Sequence, residues 1–231
     1  AITPNMDRLA ERGVRVDNAY TQNPICTPSR VSLLSGQYCH NHGYYGLSGP
    51  KPDALPNMLG HFRNHGYRTG AVGKLHLPDD PRNWIADDVE LLADCYFGVD
   101  GDRKKTPYFD YLRKLGLRDK EDSVGLPEFT QHQQLEGRPS LLPYEHSVEG
   151  WCVKQGRGFI DDAGENPWFL HVALPRPHQC FTPDQLFWDM YPDDLAPPET
   201  LMQDPSGRPP HFVGSFEHMR QMEWLIEPKT F

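Results

Sequence analysis

The run Trp168-Phe169-Leu170-His171-Val172-Ala173-Leu174 constrains the fold more than any other part of this 231-residue chain. It is nearly continuous in apolar side chains and shows no polar alternation, so it reads as a β-strand covered on both faces. Such a strand belongs to a parallel sheet with helices packed against it, and the flanking sequence must supply them. Met6, Leu9 and Ala10 stand at helical spacing with Gly13 as a stop, which predicts a short amphipathic helix over 5–12. Val14, Val16 and Ala19 alternate roughly and suggest a strand leading into Gln22-Asn23-Pro24. Pro28 and Gly36 bracket Val31-Ser32-Leu33-Leu34 as a second helix. Leu55 to Phe62, ended by Gly66, reads as a helix, Tyr67 to Val72 as a strand, and 146–162 as a further helix. From about Pro78 to Pro143 the chain is rich in Pro, Gly and charge without a clear period; this is a long, partly helical excursion within one domain. From Pro197 onward no core-like run occurs. The alternation of helix and strand predicts an α/β layered sheet, and no internal repeat is present.

Charge and cysteine usage narrow the partners. A net charge of −9 argues against nucleic acid, because neutralising phosphates needs a basic face and no Lys/Arg cluster of that size occurs. An anionic small molecule stays compatible, since a few local cations can reverse the field inside a pocket. No apolar run approaches the roughly 20 residues of a membrane helix. Cys26, Cys39, Cys95, Cys152 and Cys180 are scattered with no CxxC pair, which supports neither a zinc knuckle nor a dense disulfide framework.

The segment Cys26-Thr27-Pro28-Ser29-Arg30 carries the chemistry. It places a thiol just before a helix that Pro28 starts, with Arg30 in the first turn. Backbone amides and the dipole at a helix N-terminus favour an anion, and a guanidinium beside them adds a fork of donors. The same field lowers a thiol's pKa, so a cysteine nucleophile is one reading. A buried structural cysteine is the other, because cysteine is among the most buried residue types.

Cys26-Thr27-Pro28-Ser29-Arg30, followed by Leu34-Ser35-Gly36-Gln37-Tyr38, resembles the sulfatase signature C-x-P-S-R with its downstream S/T-G-x-Y. Gly66-Tyr67-Arg68-Thr69 through Gly73-Lys74-Leu75-His76 resembles the second signature, and Pro177-His178, directly after the apolar run, is a third match in the family's order. The resemblance implies an alkaline-phosphatase-like fold, a mainly parallel α/β sheet with helices on both faces, of which this chain is the N-terminal part. It also implies that Cys26 is oxidised to formylglycine by a dedicated enzyme. The hydrated aldehyde is a geminal diol: one hydroxyl attacks sulfur and the other later expels sulfate, which splits a hard step into two easier ones. By the same resemblance Arg30 holds the diol, Lys74 binds a sulfate oxygen, His76 takes a proton during sulfate release, and His178 donates on the leaving-oxygen side. His171 lies in the apolar run outside any motif and reads as a core histidine. His40, His42, His61 and His65 suggest a metal cluster at first sight, but by the resemblance His42 is either structural or a support behind the residues that touch the substrate. The implied partners are a sulfated small molecule or glycan and a formylglycine-generating enzyme, and the implied location is periplasmic or secreted.

The resemblance further implies a divalent cation, usually calcium, held by oxygen ligands. Formylglycine from Cys26 is the one ligand this chain offers at a family-consistent position. The family's adjacent Asp pair is expected before Ala1, and its later Asp-Asn/His-Gly motif after the last residue; Asp79-Asp80, Asp87-Asp88, Asp161-Asp162 and Asp193-Asp194 all follow Cys26. The chain therefore reads as truncated at both ends. Two alternatives to a sulfate ester hydrolase stay open: a phosphonate monoester or phosphodiester hydrolase of the same superfamily, and an inactive scaffold fragment without its metal ligands.

Overall fold

The structure is a computed structural model and describes residues 2–49, 55–78, 80–95, 105–121, 137–178, 180–192, 204 and 206–214. They group into two units, Ala1–Met58 with His76–Asp79, and Leu59–Leu75 with Asp80–Phe231. Parts of the excursion over 78–143 (residues 79, 96–104 and 122–136) and most of the tail beyond Pro197 lie outside the described residues.

In the first unit, helix α1 spans Pro4–Arg12, with proline at its start and no buried residue. The expected strand at 14–19 does not form, and Val14 and Val16 stand exposed. A strand exists only through its ladder, and alternation in three residues supplies no partner for one. Helix α2 spans Cys26–Ser35 and buries Thr27, Val31 and Leu34, a stripe at helical spacing. It begins two residues earlier than the proline suggested. Pro28 occupies the third position of the first turn, where no intrahelical amide bond is lost. Gly36 ends the helix at φ 69°, with its amide on the Ser32 carbonyl at 2.9 Å. A single turn, α3 (Cys39–His42), follows and ends at Gly43.

The second unit holds the sheet. Helix α4 (Met58–Asn64) leads into β1 (Arg68–Gly73); α5 (Arg82–Ile85) precedes β2 (Leu91–Asp94). Helix α6 (Pro107–Lys114) and the long α7 (Val148–Ala163) lead to β3 (Trp168–Ala173), with the short α8 (Gln185–Trp188) beyond it. The strands are parallel in the order β2-β1-β3, with Gly70 facing Leu91 on one side and Leu170 on the other. The excursion is therefore no mere insertion. It contributes β2, and Tyr108, Phe109 and Leu112 of α6 join Val72, Ala93, Val148, Trp151 and Cys152 in the core. Four strand residues within a charged stretch leave too short a pattern to read, and pairing with β1 is what defines them.

The apolar run at 168–174 is a strand, but it is not covered on both faces: Trp168 and Val172 are 41% and 42% exposed. β1 takes the central place instead, with Thr69 through Gly73 all buried. Alternate residues sort the two faces. Leu170 and Val172 meet α7 at Gly156, where a Cβ would press on Leu170, while Phe169 stacks on Phe62 of α4 with centroids 4.2 Å apart. Helices thus pack on both sides of the sheet. Gly73 ends β1 at φ 98°, and a Cβ there would collide with the Ala173 carbonyl. Tyr108 is fully buried, and its hydroxyl donates to the Glu121 carboxylate and to the His146 carbonyl at 3.0 Å. Burial and Glu121 push its pKa far up, so it stays a neutral donor. All five cysteines are free thiols, and a hydrogen bond with Cys152, together with burial, raises the Cys95 thiol.

Candidate active site

The first unit holds Cys26, Arg30 and His76. Cys26 is the first residue of α2 and is half-buried. Its entry is built by Asn23, whose Oδ1 accepts the Ile25 amide at 2.9 Å and whose Nδ2 donates to the Tyr45 carbonyl at 3.2 Å. Ile25 stands at the N-cap and has no side-chain acceptor, and the first turn has no acidic residue. The amides of Cys26 and Thr27 thus lie outside the helical ladder at the positive end of the dipole. Arg30 is one turn further on, on the same side of the helix. Thr27, between them, donates from Oγ1 to the His76 carbonyl at 3.1 Å. His76 is buried with φ 44°, the described non-glycine residue in the left-handed region. A backbone held there costs on the order of 1–3 kcal/mol and is found preferentially at functional sites. A cavity of about 520 Å³ also lies along α2, lined by Tyr20, Thr21, Ser29, Ser32, Gln37 and Tyr38, but it includes neither Cys26 nor Arg30.

The second unit, taken by itself, holds Lys74 and His178, which follow the carboxyl ends of the neighbouring strands β1 and β3. Open α/β sheets bind ligands beyond that edge. The Lys74 amide extends the ladder by bonding the Ala173 carbonyl at 2.7 Å, and its side chain is 4% exposed. His178 is exposed in the turn after β3, with its amide on the Pro175 carbonyl at 3.2 Å. Three charged residues at this edge escaped the sequence reading. Asp94 ends β2 opposite Gly73 and is 5% exposed. Glu149, in the first turn of α7, pairs with Arg176, two residues before His178. Burial raises the Glu149 pKa, and Arg176 opposes the rise. The apolar triplet Leu91-Leu92-Ala93 before Asp94 was a signal for the first; nothing local marked the ion pair.

Of the four histidines that suggested a metal cluster, His42 is buried and structural. Its Nε2 lies 2.9 Å from Ser32 Oγ and its Nδ1 accepts the Tyr44 amide at 3.1 Å. His65 turns its Nδ1 to the His61 carbonyl at 2.8 Å within α4. His171 is half-buried in the middle of β3, opposite Ala71. Among the described residues no group of three or more His, Cys, Asp or Glu is placed to hold a metal ion. Calcium requires about 6–8 oxygen ligands, so these residues by themselves do not fit it.

The family model for Sulfatase matches residues 1–200. The chain is 29% identical to a choline-sulfatase of Rhizobium meliloti over 82% of its own length and 36% of that protein. It is 30% identical to an arylsulfatase of Clostridium perfringens over 87% of the chain and 43% of that protein. Among solved structures, the phosphonate monoester hydrolase of Agrobacterium radiobacter superposes with a TM-score of 0.60 at 22% identity, covering 85% of this chain and 40% of that one. A protein solved with its substrate D-glucosamine-2-N,6-O-disulfate superposes with a TM-score of 0.57 at 20% identity, covering 90% and 36%. The chain therefore spans well under half the length of these relatives. The parallel sheet with helices on both faces is their alkaline-phosphatase-like fold. With the family model matching across both units and through all three motifs, this chain belongs to the sulfatase family.

Proposed function

We propose that this chain carries the nucleophile-bearing part of a sulfuric ester hydrolase, with Cys26 as the precursor of formylglycine. The observation that carries the reading is the placement of Cys26 at the uncapped start of α2 with Arg30 one turn on. Formylglycine, when formed, supplies a hydrated aldehyde as the attacking group. The chain's own residues do the rest. Arg30 and the Cys26 and Thr27 amides steady negative charge beside the nucleophile. Lys74 binds a sulfate oxygen, His76 accepts a proton as sulfate leaves, and His178 protonates the departing oxygen. Removing a charge-stabilising donor of this kind lowers turnover by about 10²–10³-fold, and removing an acid–base group by about 10²–10⁴-fold. No step is assigned to a metal. A sulfated small molecule or glycan is the substrate class, and a formylglycine-generating enzyme the obligatory modifying partner; a periplasmic or secreted location goes with that reading.

The test is modification followed by turnover. The full-length gene product is co-expressed with a formylglycine-generating enzyme, and the peptide containing Cys26 is weighed. It should lose the mass of hydrogen sulfide and gain one oxygen atom, with Cys39, Cys95, Cys152 and Cys180 unchanged. Cys26→Ala should then abolish aryl sulfate hydrolysis. An unmodified Cys26 under conditions that convert an established sulfatase overturns the proposal. A second reading, phosphonate monoester or phosphodiester hydrolysis, is favoured by the likeness in fold to a phosphonate monoester hydrolase. Sulfate monoesters and phosphonate monoesters both carry one negative charge and differ in the central atom and in a carbon substituent where sulfate has an oxygen, so kcat/KM for matched aryl sulfate and aryl phosphonate substrates separates the two.

A further inference from the structure

The turn that carries His178 is closed by one side chain. Arg176 donates from Nη1 to the Glu149 carboxylate, and from Nη2 to the Thr182 carbonyl at 2.6 Å and to Thr182 Oγ1 at 3.2 Å. The guanidinium therefore bridges the two limbs of the segment 176–182 and pins them to the first turn of α7. The near limb is fixed by β3. The far limb is fixed independently, because the Arg138 amide bonds the Phe181 carbonyl at 3.2 Å and the Ser140 amide bonds the Pro183 carbonyl at 2.7 Å. Thr182 is 1% exposed, while His178 stands at the exposed tip between the limbs.

The ion pair is an expensive way to close a turn. The two side chains are 20% and 14% exposed, and the second Glu149 oxygen is buried without a hydrogen bond among the described residues. Partly desolvated pairs of this kind add little net stability, whereas a planar fork of donors fixes geometry well. We propose that Arg176, anchored by Glu149, is a positioning residue that sets His178 for proton donation to the leaving oxygen of the ester. This rests on the reading of His178 given above.

The test compares His178→Ala, Arg176→Met, Arg176→Lys and Glu149→Gln, with the double variant Arg176→Met/His178→Ala, in the full-length, modified gene product. The substrates are aryl sulfates whose phenols span a range of acidity. Loss of a proton donor hurts poor leaving groups most, so His178→Ala should lose about 100-fold on the least acidic phenol and little on the most acidic. Arg176→Met should reproduce that slope with a roughly tenfold loss in kcat and little change in KM, Arg176→Lys should fall between, and the double variant should be no slower than His178→Ala. Amide exchange over 176–182 should quicken in Arg176→Met and Glu149→Gln. If Arg176→Met does not fold, Glu149→Gln and Arg176→Lys carry the same readout. Equal losses on every aryl sulfate, or losses that multiply in the double variant, overturn the positioning role, even with quicker exchange. A His178→Ala variant with no leaving-group dependence instead removes the reading of His178 itself.

Discussion

His42 shows how one side chain can be assigned a state from its partners. Its Nδ1 accepts the Tyr44 amide, which assigns the proton of the neutral ring to Nε2, where Ser32 Oγ receives it. Burial lowers its pKa below the ordinary histidine value, with His40 adding to the effect. The sign follows from which state binds the proton first. As pH falls through the ordinary histidine range the unfolded chain protonates before the folded one, so stability present at neutral pH is lost toward the lowered folded value. Glu149 acts oppositely, because its raised pKa makes the folded state the better proton binder above the ordinary glutamate value. Melting curves from pH 7 to pH 5 should therefore be compared between the wild-type chain and His42→Gln. The wild type should lose more melting temperature over that interval; parallel pH dependences would show that the ring is not held neutral by its setting.

Among the elements, α7 is set by its first turn. Ser147 Oγ accepts the Gly150 amide at 3.1 Å and donates to the Tyr144 carbonyl at 2.7 Å, so one hydroxyl caps the helix and closes the preceding turn. That start places Val148, Trp151 and Cys152 in the core and Glu149 beneath Arg176. Ser147→Ala is expected to cost about 1 kcal/mol, and Ser147→Asp, which keeps an acceptor, less. Chemical denaturation of the two variants checks the order, and equal midpoints would mean that the hydroxyl does not cap. This helix, α1, β1 and β3 are legible from period and punctuation. β2 is not, since four residues define a strand only beside β1, and neither is the exposure of β3, since an apolar run states what a strand can bury and not which neighbours cover it.

For the molecule as a whole, the chain spans 36% of the choline-sulfatase and 43% of the arylsulfatase it matches. Among the described residues no group of three or more His, Cys, Asp or Glu is placed to hold a metal ion. One modified cysteine and water cannot displace calcium's hydration shell. The 231-residue chain alone should therefore bind calcium poorly and hydrolyse aryl sulfates negligibly, and the full-length gene product should recover both. Calorimetric calcium titration of the two, alongside the aryl sulfate assay, measures this. Tight binding by the 231-residue chain would mean that ligands outside the described residues complete a site.

By itself the sequence determined the family and the α/β class, because short signatures around a helix start and two strand ends are local facts of spacing. It also pointed away from a metal-ligand role for His42, whose ring nitrogens meet Ser32 and the Tyr44 amide. Tertiary structure decided what depends on neighbours distant in sequence. The pairing of β2 with β1 turned an apparent excursion into part of the sheet and brought Asp94 to its carboxyl edge. The bond from Thr27 to the His76 carbonyl joined residues 49 positions apart. The clamp of Arg176 on Glu149 spans 27 positions, and no local pattern encodes it. A charge reports its own sign in the sequence, but the fold alone selects the opposite charge it meets when both leave water.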